Sequence, residues 1–273
     1  MQNRLATSFP SIRARGRGRR LTGWLRCGFD IRCMLVLAGL SLAAGSPFTA
    51  NAKEYYAKAR QELADTIASM AAETQRETGR KAFSEAVIKV MAEVPRHEFV
   101  PENVRDLAYR NRPLPIGHGQ TISQPYIVAL MTDLLEVQIG SKVLEVGTGS
   151  GYQAAVLAEL GAKVFTIEII EPLGQLAKER LKRLGYGNVK TRISDGYYGW
   201  KEHAPFDAII VTAAASHVPP PLVRQLKPGG RMIAPVGQRF LVQYLTMVEK
   251  GVDGGVTSRL ILPVRFVPLT GGH

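Results

Sequence analysis

"VLEVGTGSGYQAAVLAEL", residues 143–160, decides the fold. An apolar run enters Gly147-x-Gly149-x-Gly151, and a helical pattern begins at once with Tyr152. Glycines at such a strand-to-helix turn let the backbone reverse sharply and let a ligand approach the main chain. Outward from this point the texture repeats. Strands are expected at 142–147, 163–169, 188–194, 207–213 and 230–236, with helices at 152–160, 172–185 and 219–226. Alternation of that kind implies a parallel sheet covered by helices on both faces. "YLTMVEKG" and "SRLILPVRFVPL" then read as two or three closing strands around a Gly-rich turn at 251–255.

Upstream the pattern is helical. "YYAKARQELADTIASMAAETQRE" is rich in Ala, Glu, Gln and Lys with apolar positions at helical spacing, a second helix spans about 83–93 before Pro95, and a third runs from Gln124 to Glu136. The expected architecture is therefore α/β: a Rossmann-like core over 137–273, mostly parallel, with an N-terminal helical cap over 53–136 and an extension over 1–52. Between two of the cap helices lies "LPIGHGQTISQPY", residues 114–126. Its Pro and Gly density excludes a helix or a regular strand, so it is expected as an open loop.

The glycine spacing is not the dinucleotide fingerprint, because Tyr152 stands where the last glycine should be. Glu145, two residues before Gly147, would repel a pyrophosphate and suits a cationic ligand. Glu168 closes the strand at 163–169, where an acid can accept hydrogen bonds from a ribose diol. An adenosyl group carrying a sulfonium satisfies all three observations, which makes S-adenosylmethionine the expected cofactor. Asp195 in "ISDGYYGW" follows the next strand, within reach of an adenine amino group. On the glycine loop alone, a methyltransferase of small molecules or RNA remains open. So does a basic nucleic-acid-binding protein with a vestigial loop, although no aromatic–basic interleaving appears in the folded part.

Several stretches together are more specific. "LPIGHGQTISQPYIVALMTDLL", the glycine loop, "DGYYGW", "FDAIIVTAAA" with "VPPPL", "LKPGGRMIAPVG" and "VRFVPLTG" resemble the protein-L-isoaspartate (D-aspartate) O-methyltransferase family over roughly residues 83–271. The resemblance implies methyl transfer from S-adenosylmethionine to the side-chain carboxylate of L-isoaspartyl, and some D-aspartyl, residues in aged proteins. The ester then collapses to a succinimide. By position it makes Ser123 the active-site serine, with Thr121 and Ile122 beside it toward the cofactor. Gly147, Gly149, Ser150 and Gly151 become the cofactor loop, Glu168 the ribose acid, and Asp195 with Gly196 the adenine contact. Thr212, Ala213 and Ala214 become the strand end that meets the substrate. The partners implied are damaged proteins and peptides, with no nucleic acid, no stable membrane association and a monomeric enzyme. Ser123 has a second reading, as the cap of the helix that starts near Gln124.

The net charge of +12 is unevenly placed. Residues 1–33 hold eight Arg against one acid, Asp30, and account for +7 of it, so the remainder is only mildly basic. "MLVLAGLSLAAG", residues 34–45, with Ala50-x-Ala52 after it, forms a signal-peptide pattern with cleavage expected after Ala52. Its apolar core is too short for an ordinary membrane span. Family resemblance points instead to the cytoplasm, with export to the periplasm as the alternative. Cys27 and Cys33 both precede the folded part, which therefore has no disulfide. His97, His118, His203, His217 and His273 show no metal-ligand spacing, and no metal is expected. His118 is expected to be satisfied by loop backbone. Arg96 and Arg112 read as solvated surface residues, or otherwise as attractors of an anionic substrate.

Overall fold

The run Lys142–Val146 becomes the central strand: its apolar residues Val143, Leu144 and Val146 are buried on both faces, the signature of a strand between two helical layers. The computed structural model describes residues 47–238 and 241–272, with side chains from Lys53 onward. A seven-stranded sheet forms the core. Its strands in chain order are β3 (Lys142–Val146), β4 (Lys163–Glu168), β5 (Lys190–Ile193), β6 (Phe206–Val211), β7 (Leu226–Val236), β8 (Gln243–Lys250) and β9 (Val256–Val264). Their spatial order is β5-β4-β3-β6-β7-β8-β9. The first five are parallel, and β7, β8 and β9 follow as an antiparallel meander. The chain reverses direction across the sheet beside β3, and in open α/β sheets that is where ligands bind, at the carboxyl ends of the strands.

The helices are α1 (Pro47–Glu73), α2 (Gln75–Thr78), α3 (Glu85–Glu93), α4 (Pro125–Leu134), α5 (Tyr152–Glu159), α6 (Glu171–Arg183) and α7 (Pro220–Gln225). Helix α3 begins where the Ser84 side chain accepts the Val87 N–H, and it ends with Val94 extended ahead of Pro95. All ten residues of α4 are buried. One hydrophobic cluster runs from Leu63 and Ile67 on α1, through Met91 and Leu130, to Val143 and Val164 on the sheet. The helical part and the sheet therefore share a core.

Two expectations are corrected. Residues 114–122 are not an open loop: β1 (Leu114–Gly117) and β2 (Gln120–Ile122) pair as an antiparallel hairpin. His118 and Gly119 at its tip have φ of 51° and 70°. Two consecutive positive-φ residues suit the tight hairpin turn whose twist matches the flanking strands. Glycine here builds the turn rather than preventing pairing, and Pro115 is tolerated because the ribbon is all edge. The strand expected from residue 230 begins at Leu226, with an irregular register that pairs Phe206 with Leu226 and Ala208 with Arg231. The "KPGG" stretch is thus a bulge inside β7. The signal-like core at 34–44 and the Arg-rich start lie outside the described residues, and the expected cleavage point after Ala52 falls within α1.

Candidate active site

The cleft at the carboxyl end of β3 is built by the glycine loop. Gly147, Gly149 and Gly151 have φ of 99°, 52° and 88°, a left-handed region that side chains with a Cβ rarely occupy. Two contacts add steric reasons. A Cβ on Gly147 would lie 2.5 Å from Thr212 Oγ1, and one on Gly196 would lie 2.5 Å from Val146 Cγ1. The loop is closed by Gly151 N–H to the Thr148 carbonyl, and anchored to β4 by Gly147 and Thr148 N–H groups on the Ile167 carbonyl. From β6, Thr212 Oγ1 donates to the Gly147 carbonyl at 2.7 Å.

Both expected carboxylates line this cleft. Glu168 accepts the Gly149 N–H at 2.7 Å on Oε2 and the Ile170 N–H at 3.0 Å on Oε1. It therefore braces the loop as well as facing the cleft. Glu145 is fully buried. The Thr166 hydroxyl donates to its Oε2 at 2.6 Å, and Thr148 continues that chain at 2.6 Å from Thr166. Oε1 of Glu145 has no partner. Burial pushes this carboxyl up to about 8, against the Thr166 hydrogen bond and with added help from the Glu168 charge. Burial thus favours the protonated form of Glu145 in the ligand-free protein, which modifies the expectation of a standing anion.

The hairpin covers the loop: Ile116 Cδ1 would lie 3.4 Å from a Cβ built on Gly149. Thr121, Ile122 and Ser123 at its end line the same cleft, as do Gly147, Gly149, Ser150, Gly196 and Ala213. A second cavity adjoins it, walled in part by Ile127, Arg265 and Phe266. Thr121, Ser123, Thr212 and Val267 line both. The C-terminal stretch 267–270 is a wall of the cleft that local sequence patterns did not single out; the quoted "VRFVPLTG" was the available signal.

Five expectations fare differently. Ser123 is not the cap of α4: the cap position is Gln124, no side chain caps it, and Pro125 opens the helix. Pro125 brings no N–H of its own to the first turn, which lowers the demand for a side-chain cap there. The Asp195 carboxylate accepts the Tyr197 N–H at 2.9 Å and the Gly272 N–H at 3.2 Å, and it is not among the groups lining the cleft. Ala214 stays outside both cavities because its N–H and carbonyl already bond Val267 and Leu269. Arg96 is neither solvated nor available to a substrate; it is wholly buried. Arg112 is exposed, and His118 sits exposed at the hairpin tip with no hydrogen bond to its ring among the described residues.

The model of the family described as "Protein-L-isoaspartate(D-aspartate) O-methyltransferase" matches residues 70–273. The chain belongs to that family. It is 62% identical over 239 residues to protein-L-isoaspartate O-methyltransferase 1 of Cupriavidus necator, covering 88% of this chain and 92% of the relative. To protein-L-isoaspartate O-methyltransferase 2 of a Polaromonas species it is 66% identical over 209 residues, covering 77% and 99%. The fold superposes with a TM-score of 0.64 at 28% identity on a Plasmodium falciparum structure assigned to the same enzyme, in complex with S-adenosyl-L-homocysteine; 77% of this chain and 98% of that one are covered. The chain is an S-adenosylmethionine-dependent methyltransferase acting on isoaspartyl carboxylates of damaged proteins. Among the described residues, no helix is long and apolar enough to cross a membrane.

Proposed function

We propose that methyl transfer takes place across the wall shared by the two cavities, with Ser123 at the crossing point. The observation that carries this is the double lining by Thr121, Ser123, Thr212 and Val267. The cleft on one side fits S-adenosylmethionine: positive-φ glycines give close approach to the main chain, Glu168 offers acceptors to a diol, and Glu145, whose Oε1 has no partner, is a lining acid that suits a cationic group. When bound, the cofactor supplies a methyl group already activated by its sulfonium.

The second cavity receives the isoaspartyl peptide. A carboxylate with an ordinary value near 4 is ionised at neutral pH, so no general base is needed. As a carboxylate and a sulfonium lose charge together, a dry site favours the transition state. Catalysis here is chiefly in-line positioning, worth up to roughly 7–11 kcal/mol in well-oriented systems. The Ser123 hydroxyl has no hydrogen-bond partner among the described residues and is free to orient the carboxylate. Gly196, Thr121 and Ile122 bound the adenosyl side. Asp195, beside Gly196, offers its carboxylate to the adenine amino group, since an oxygen that accepts one N–H can accept a second. Of that strand end, Thr212 lines both cavities and meets the substrate, Ala213 borders the cofactor cleft alone, and Ala214 stands behind them with its backbone already bonded. The enzyme acts as a monomer on proteins and peptides, without nucleic acid or stable membrane association.

The test is labelled methyl transfer by the full chain to an isoaspartyl peptide and to its aspartyl twin. Transfer to the first alone is expected; equal transfer to both, or to neither, overturns the assignment. The proposed location is the cytoplasm, on family resemblance. The signal-like run ending at Ala52 favours export as the second reading. N-terminal sequencing from fractionated cells separates them, since an exported protein begins at Lys53.

A further inference from the structure

Arg96 opens a short 3₁₀ turn, Arg96–Phe99, and its side chain is wholly buried. Full burial is rare for arginine unless the charge is paired, yet no carboxylate pairs with it among the described residues. Its charge rests on main-chain carbonyls instead. Nε donates to Ala108 at 2.9 Å and Nη2 to Ser123 at 2.7 Å, with a long second contact from Nη2 to Arg112 at 3.5 Å. The guanidinium carbon lies 4.9 Å from the centroid of the Tyr152 ring. Nη1 is buried without a partner. Burial lowers its value to about 10, so it remains charged at neutral pH.

A buried cation without a counter-ion carries an uncompensated desolvation cost. Holding three carbonyls could be done more cheaply by neutral donors, so fold stability alone explains this arrangement poorly. Its placement explains more. One end grips the backbone of Ser123, the residue on the shared wall, just where α4 starts without a side-chain cap. The other end lies on the ring of Tyr152, the first residue after the glycine loop and one of the residues lining the cofactor cleft. We infer that Arg96 is a positioning residue: it fixes the Ser123 hydroxyl at the crossing point and ties it to the base of the cofactor loop.

The inference rests on the role of Ser123 given above, and the experiment separates the two. Arg96→Lys keeps the charge but loses the planar fork that reaches several acceptors. The folded variant should bind S-adenosylmethionine almost normally by calorimetry while kcat on an isoaspartyl peptide falls about 10–100-fold, the scale of a small misplacement. In a Ser123→Ala background the same change should remove little further activity, because both act through one hydroxyl. Costs that add in full, with Ser123→Ala itself impaired, overturn the arginine's role alone. Unimpaired Ser123→Ala overturns both. Should Arg96→Lys not fold, Tyr152→Leu removes the ring beneath the guanidinium and leaves its three carbonyls in place. A fall in kcat that again vanishes in the Ser123→Ala background is then expected, and loss confined to cofactor affinity overturns the proposal.

Discussion

The glycine loop and the hairpin above it form two sides of one cleft, but they are held in different ways. Residues 147–151 owe their path first to local features, three positive-φ glycines and one hydrogen bond inside the turn, which Ile167, Glu168 and Thr212 on the neighbouring strands then brace. The hairpin carries only its tip that way, through His118 and Gly119. Its functional end, Ser123, is fixed from a distance by Arg96, 27 residues earlier. A locally encoded site should fail by local strain, whereas a remotely held one should fail by misplacement with the fold intact. The two failures are measurably different.

The largest effect is expected in the loop. Gly149→Val puts a β-branched residue at φ 52°, costing about 1–3 kcal/mol of strain, and sets its side chain where the ligand must approach the main chain. Binding of S-adenosylmethionine should fall below detection by calorimetry, with native far-UV circular dichroism. Near-normal affinity would mean that the loop does not hold the cofactor.

Ser123→Ala should come next, and on the other side of the contrast. With no cap to lose, its stability should stay within about 0.5 kcal/mol of wild type, and cofactor affinity should be unchanged. Turnover should drop about 10–100-fold, with Ser123→Thr retaining part of it. A clear fall in melting temperature with normal turnover would return Ser123 to a structural role. Glu168→Ala should be milder, weakening cofactor affinity about tenfold, the equivalent of ~1.4 kcal/mol. It removes a diol acceptor but also frees the Gly149 and Ile170 N–H groups to bond elsewhere.

The same contrast explains what was legible in the sequence. The α/β alternation, the central strand and the loop were readable because period and glycine spacing are local properties. Glu145 and Glu168 could be placed because a strand of known direction fixes where its end points. The hairpin is hidden in the composition, since glycine and proline there read as breakers, although two adjacent positive-φ residues are also a turn-maker. Arg96 was unreadable for a different reason. An arginine beside Pro95 in a polar stretch resembles any surface arginine, and only the tertiary fold brings Ala108, Arg112 and Ser123 around it. The wall at 267–270 is likewise a product of the chain's return to Ala214.

The smallest effect, and the finest test of the loop side, concerns the proton on Glu145. In the free protein this carboxyl is held up to about 8, where an ordinary glutamate in an unfolded chain sits at 4.5. The folded state therefore binds one proton more than the unfolded state between those limits. Stability should fall as pH rises from about 4.5 through about 8 on this account, since the slope follows protons bound unfolded minus folded. Glu145→Gln removes that contribution, so its melting temperature should decline less than wild type over the same span. A cationic cofactor beside the unpartnered Oε1 favours the carboxylate, and binding should release the proton. Affinity for S-adenosylmethionine should then rise with pH up to about 8 and level off above it, while Glu145→Gln shows no such rise. Affinity for S-adenosylhomocysteine, which lacks the sulfonium charge, should rise less steeply. Calorimetry in buffers of different ionisation enthalpy counts the proton directly. Equal slopes for wild type and Glu145→Gln would show that Glu145 does not answer the cofactor's charge, and would leave its burial as a property of β3 alone.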